Sequence, residues 1–124
     1  MHKIDSVLIV DSDEMDNFVN RKILEHHGVS NIIIFNKHFN AFDFLKTSNL
    51  IFQYVIVGST NQAQIGFDFI NKFIELELAK MHGEIIILSV SINSSDKLKE
   101  KSRNVRFLEK PLTVKKMFNY KSIN

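Results

Sequence analysis

Along the chain, short continuous apolar runs alternate with stretches in which apolar residues recur every three or four positions. The runs are Val7-Leu8-Ile9-Val10, Ile32-Ile33-Ile34-Phe35, Tyr54-Val55-Ile56-Val57, Ile85-Ile86-Ile87-Leu88 behind Glu84, and the short Val105-Arg106-Phe107-Leu108. Their length and β-branched content predict strands, and unbroken apolarity predicts burial on both faces. Met15, Phe18, Val19 and Ile23 predict a helix from about Glu14 to His27 with those residues inward; Asp13, Glu14 and Asp16 favour its start and Gly28 its end. Phe39, Phe42 and Leu45, widened by Ala41 and Phe44, predict a second helix ending near Ser48-Asn49. Phe67, Ile70, Phe73, Ile74 and Leu78 predict a longer one from about Gly66 to Met81. Between Ser94 and Arg103 only Leu98 is a main apolar contact, so a fourth helix there is the loosest element. Val114, Met117 and Phe118 mark a last helix from about Thr113.

Five strand–helix alternations predict an α/β fold, a parallel sheet with helices on both faces. The 124 residues suit one domain, 1–124, without linker or repeat. Absence of cysteine excludes a disulfide framework, a thiolate metal site and a thiol nucleophile. No apolar run is long enough to span a bilayer and no signal-peptide pattern opens the chain, so a cytoplasmic protein is expected. The formal charge of +2 is too small to imply nucleic-acid binding, and the late basic residues, Arg106 among them, read as a solvated face. His2, His26, His27, His38 and His82 show no ligand spacing and read as surface residues.

In such a sheet, chemistry collects beyond the carboxyl ends of the strands. Asp11-Ser12-Asp13 follows the first strand, Gly58-Ser59 the third, Ser89 the fourth and Lys110 the fifth. A carboxylate, a hydroxyl and a lysine around one pocket suit phosphate handling, since lysine neutralises oxyanions, hydroxyls donate to them and carboxylates hold Mg²⁺.

With these residues in place, "LIVDSDE", "IIILSVSIN" and "FLEKPLT" jointly resemble the receiver domain of two-component response regulators, over essentially the whole chain. The resemblance implies a flavodoxin-like (βα)5 doubly wound five-stranded sheet of order 2-1-3-4-5. It also implies a carboxylate pair after the first strand for Mg²⁺ and an aspartate after the third that accepts phosphate. A hydroxyl and a lysine then read the phosphoryl group, and an aromatic residue on the fifth strand passes the change on. Carried over residue by residue, Asp11 matches the first acid, Ser12 replaces the second, and the phosphoacceptor position falls on Gly58. Ser89 matches the hydroxyl, Lys110 the lysine, Phe107 the switch aromatic and Gly66 a family glycine; the Lys110–Pro111 bond is implied to be cis.

Glycine offers no nucleophile, and one carboxylate without a phosphate holds Mg²⁺ weakly. No cofactor or metal is therefore expected; Asp11 and Asp13 are the weak metal candidates, although Asp13 suits a helix cap better. Asp11 and Lys110 are expected to pair with each other, and Ser89 to satisfy local backbone. Ser59 and Thr60 would need a different kinase chemistry to serve as acceptors.

The leading expectation is an atypical, non-phosphorylated receiver, not an enzyme, acting in phosphorelay signalling by protein–protein interaction. Its expected partners are a sensor kinase, a phosphotransfer protein or another receiver, met through the polar fourth helix and the face carrying Phe107 and Phe118. A homodimer through the face of the fourth helix, fifth strand and fifth helix belongs to the same picture. The chain ends soon after its last helix, so output is expected to come from binding. The alternatives are a conventional receiver with a non-standard acceptor and a flavodoxin-like cofactor protein; the absence of a Gly-rich phosphate loop weighs against the second.

Overall fold

Five strands form one parallel sheet in the order β2-β1-β3-β4-β5. They are β1 (Ser6–Val10), β2 (Asn31–Phe35), β3 (Tyr54–Ser59), β4 (Glu84–Ser89) and β5 (Val105–Glu109). The intervening helices are α1 (Glu14–His26), α2 (His38–Thr47) and α3 (Ala63–Glu75), and Val114–Phe118 forms a C-terminal helix. The structure is a computed structural model that describes residues 4–59, 63–90 and 105–118. The expected fourth helix, between 94 and 103, lies outside the described residues.

Strand periodicity explains why the apolar runs are continuous. Val7, Ile9, Ile56, Ile86 and Leu88 point to one side and pack with Leu24 of α1 and Met117 of the C-terminal helix. Leu8, Val10, Val55, Val57, Ile85, Ile87 and Phe107 point to the other and meet Phe42 and Leu45 of α2 and Phe69 and Phe73 of α3. Complete burial of each such aliphatic side chain is worth about 1.5–3 kcal/mol, an upper range because the unfolded chain is already partly compact. The second layer absorbs much of the phenylalanine: Phe42 stacks on Phe69 with ring centres 4.7 Å apart, and Phe69 on Phe73 at 5.8 Å.

Several sequence expectations need correction. Met15, Phe18 and Val19 do not face inward; α1 buries Asn17, Asn20 and Leu24 and turns those three residues to solvent. The reason is polar: Asn17 Nδ2 donates to the Asp11 carbonyl at 2.8 Å and to Asn36 Oδ1 at 3.2 Å, tying α1 to two strand ends. Phe39 is likewise outside, while Ala41, Phe42 and Leu45 hold α2 to the sheet. The long third helix stops at Glu75; Glu77 takes a left-handed conformation (φ 60°) and a 3₁₀ turn at Leu78–Lys80 follows. That reversal brings His82 under the sheet, where its Nδ1 accepts from the Phe52 N–H at 3.0 Å and its ring stacks on Phe52 at 5.7 Å. His82 is therefore a core residue, and burial lowers its pKa. Arg106 is no part of a solvated face either. It is buried, forks onto Glu84 at 3.2 and 3.0 Å, and donates to the carbonyls of Lys116 and Met117.

Candidate functional site

The parallel register aligns the strand ends. Val10 lies level with Phe35 and Val57, Gly58 with Leu88, and Ser89 with both Ser59 and Glu109. The residues after β1, at the end of β3, at the end of β4 and after β5 consequently share one edge of the sheet.

Asp11 is 2% exposed. Its Oδ1 accepts from the Asp13 N–H at 2.9 Å, while its Oδ2 is buried with no partner among the described residues. Burial raises its pKa; the Asp13 N–H and the Lys110 charge oppose the rise, and the Asp16 and Asp13 carboxylates add to it. The side chain leans toward β3: a Cβ built on Gly58 would overlap the Asp11 carboxyl group and come within 2.9 Å of the Asp11 Cβ. Glycine at 58 leaves the volume that Asp11 fills.

Ser12 is exposed in the bend that follows. Asp13 caps α1, its Oδ1 accepting from the N–H groups of Met15 at 2.9 Å and Asp16 at 3.1 Å, the capping role its position suggested. Lys110 pairs with Asp16, Nζ to Oδ2 at 2.6 Å, and this replaces the expected pair with Asp11. Asp16 is the site residue that sequence reasoning missed. The signal was a carboxylate in the first turn of the helix that rises directly from the β1 end, and it was assigned to the helix dipole alone.

The fifth-strand side is tightly held. Lys110–Pro111 is cis, as the resemblance implies, and the Lys110 N–H donates to the Ser89 carbonyl at 2.7 Å. Lys116 Nζ donates to the carbonyls of Glu109 at 2.9 Å and Pro111 at 2.7 Å, closing the loop from outside. Ser89 is buried. Phe107, where the resemblance implies a switch aromatic, is 1% exposed and meets Phe67 of α3 edge to face at 5.4 Å, so it offers no surface to a partner. Gly66 lets α3 approach β4, since a Cβ there would lie 2.6 Å from Ile87 Cγ2.

These donors do not suit the Mg²⁺ that the fold family implies. Asp11 turns its free oxygen into the Gly58 volume, Asp13 is engaged as a cap and Asp16 holds Lys110. Among the described residues, no group of three His, Cys, Asp or Glu side chains is placed to hold a metal ion. A cavity of about 460 Å³ opens at the opposite, amino-end edge beside Asn31, Ile33, Leu50 and Ile51. There Ser6 Oγ already donates to the Ile51 carbonyl and Asn31 Nδ2 to that of Asp5.

Among the described residues no helix is long and apolar enough to cross a membrane. No family model and no curated protein matches the sequence. Solved structures do match the fold. A two-component response regulator from Cytophaga hutchinsonii superposes with a TM-score of 0.79 over 98% of this chain and 96% of that one, at 24% identity. A receiver protein from Pseudomonas putida does so with a TM-score of 0.73 over 100% of both chains, at 19% identity. For a two-component response regulator from Legionella pneumophila the TM-score is 0.70, over 98% and 100% of the chains, at 22% identity. The chain therefore has the flavodoxin-like fold of response-regulator receiver domains.

Proposed function

We propose that the protein is a receiver-fold module of two-component signalling that is not phosphorylated and that acts by binding other signalling proteins rather than as an enzyme. The observation that carries this reading is the double closure of the pocket. Asp11 fills the space at Gly58, and Asp16 satisfies Lys110, the cation a phosphoryl group would need. An aspartyl phosphate has no carboxylate to form on at position 58. No Mg²⁺ or other cofactor is required for such a role. Its partners would be a sensor kinase, a phosphotransfer protein or another receiver.

The test is an amide NMR titration with Mg²⁺, followed by beryllofluoride, which mimics a phosphoryl group on a carboxylate. Absence of saturable shifts at Ser89, Phe107 and Lys110 is the expected result. Saturable shifts at those residues would return the protein to the phosphorelay.

A further inference from the structure

Among the described residues, nothing covers the outer face of α1. Met15, Phe18 and Val19 are 68%, 58% and 42% exposed, and their spacing of three and four sets them on one stripe. Among the described residues the other large exposed apolar side chains, such as Phe39, Ile51, Met81 and Val90, lie outside α1, on α2 or in connecting segments. The stripe continues toward the helix end as Lys22, whose Nζ lies 5.5 Å from the Phe18 ring centre.

Charge along this helix is polarised. Asp13 and Glu14 stand at its amino end, where Asp16 is already engaged by Lys110, and Arg21, Lys22 and His26 stand in its second half. Glu25 partly offsets these, at 3.5 Å from Arg21 and 3.8 Å from Lys22. A partner helix that covers the apolar stripe and matches these charges must be basic where α1 is acidic and acidic where it is basic. The same helix running in the opposite direction meets both conditions, and antiparallel helix dipoles agree with it. A two-fold axis beside Phe18 and Val19 would set the two apolar patches together, and would bring Glu14 of each copy near Lys22 of the other.

We propose that α1 is a self-association surface through which two copies of the chain pair antiparallel. The proposal does not depend on the state of the phosphate pocket. It also moves the dimer contact away from the fifth-strand face, where Phe107 and Met117 are buried. A helix of 13 residues is about 20 Å long, so one helix pair buries less than a standard interface of about 1,600 Å². The dimer is accordingly weak and concentration-dependent.

Sedimentation velocity on the full chain, from micromolar to near-millimolar concentration, tests this. The expected result is a monomer–dimer equilibrium that Phe18→Glu abolishes with an unchanged circular dichroism spectrum, since Phe18 supports no packing inside the fold. Glu14→Lys and Lys22→Glu should each weaken the dimer about fivefold, and the double exchange should restore it. Because the chain has no cysteine, an equimolar mixture of Met15→Cys and Lys22→Cys proteins gives a clean geometric readout. The mixed disulfide should dominate over either homodisulfide. A monomer throughout the range would overturn the proposal and leave the stripe to a different protein. A dimer indifferent to Phe18→Glu would overturn it by placing the contact elsewhere.

Discussion

The carboxyl group of Asp11 occupies the volume that a side chain on Gly58 would need. The two residues sit at the ends of adjacent strands, and the absence of one side chain sets the conformation of the other. The result is a buried carboxyl with one oxygen unpartnered among the described residues and a raised pKa. Because its folded-state pKa lies above the unfolded value near 3.8, folding favours the protonated form. That contribution is complete below the unfolded value and is lost as pH rises through the folded one. Asp11→Asn should therefore be more stable than the parent at pH 7, with the difference vanishing in strong acid. Urea denaturation at both pH values checks it; a less stable variant at neutral pH would mean that Lys110 outweighs burial.

A carboxylate introduced at position 58 cannot coexist with the present Asp11 rotamer. Gly58→Asp must turn Asp11 out toward the pocket mouth, where Ser12→Asp would add a third acid. The double variant should bind Mg²⁺ in calorimetry where the parent does not, since three convergent carboxylates provide the hard oxygen donors the ion needs. Unchanged metal affinity would count against placing the acceptor position at Gly58.

The Asp16–Lys110 pair spans 94 residues of chain, with side-chain exposures of 33% and 18%. Partly solvated pairs of this kind contribute up to about 1 kcal/mol. A double-mutant cycle of Asp16→Asn and Lys110→Met should return a coupling of about 0.5–1 kcal/mol that shrinks in high salt. The corresponding cycle of Asp11→Asn with Lys110→Met should return less. Equal couplings would mean that Lys110 is shared between the two acids.

Period and run length made the sheet, its parallel character and the order of its elements legible, because a strand buried on both faces leaves an unbroken apolar run. The same reasoning failed on α1. Its apolar stripe at 15, 18 and 19 has helical spacing, yet the inner face is chosen by Asn17, whose amide closes backbone and side-chain acceptors at two strand ends. Apolar periodicity cannot register a face fixed by hydrogen bonds. The placement of Asp11, Gly58, Ser89 and Lys110 at one end of the sheet was legible, but the pairing among their neighbours was not. Which acid reaches Lys110 depends on rotamers that sequence spacing does not encode, and the void at Gly58 drew Asp11 away. His82 and Arg106 were misread for a related reason: a polar side chain enters a core once its partners are there, and those partners are 30 residues away in Phe52 and 22 away in Glu84.

Burial of His82 has a pH signature of opposite sign to that of Asp11. Its folded-state pKa lies below the ordinary 6.5, so the unfolded chain binds the extra proton first. The stability contribution is complete above 6.5 and declines as pH falls from there toward the folded-state value. His38, partly buried and also lowered despite the nearby Asp68 charge, adds in the same direction. The parent should lose stability between pH 7.5 and 5.5, a window in which ordinary carboxylates stay ionised. His82→Asn, which keeps an acceptor for the Phe52 N–H, should show a clearly smaller loss across the window. Parallel pH profiles of the two proteins would assign the effect to another group.

Arg106 joins the edge strand to the C-terminal helix through hydrogen bonds to the carbonyls of Lys116 and Met117, and to β4 through its fork onto the Glu84 carboxylate. With side-chain exposures of 8% and 17% for Arg106 and Glu84, the pair is shielded enough that removing one member leaves a poorly solvated charge. The helix carbonyls lose their donor at the same time. Arg106→Met should cost about 3 kcal/mol in urea denaturation. Arg106→Lys keeps the charge but not the planar fork, and should recover only part of the loss. Glu84→Met combined with Arg106→Met should be less damaging than Arg106→Met alone, because the orphaned carboxylate is gone. Faster amide exchange at Val114–Phe118 in Arg106→Met would place the loss at the helix contact, and unchanged exchange there would confine it to the sheet edge.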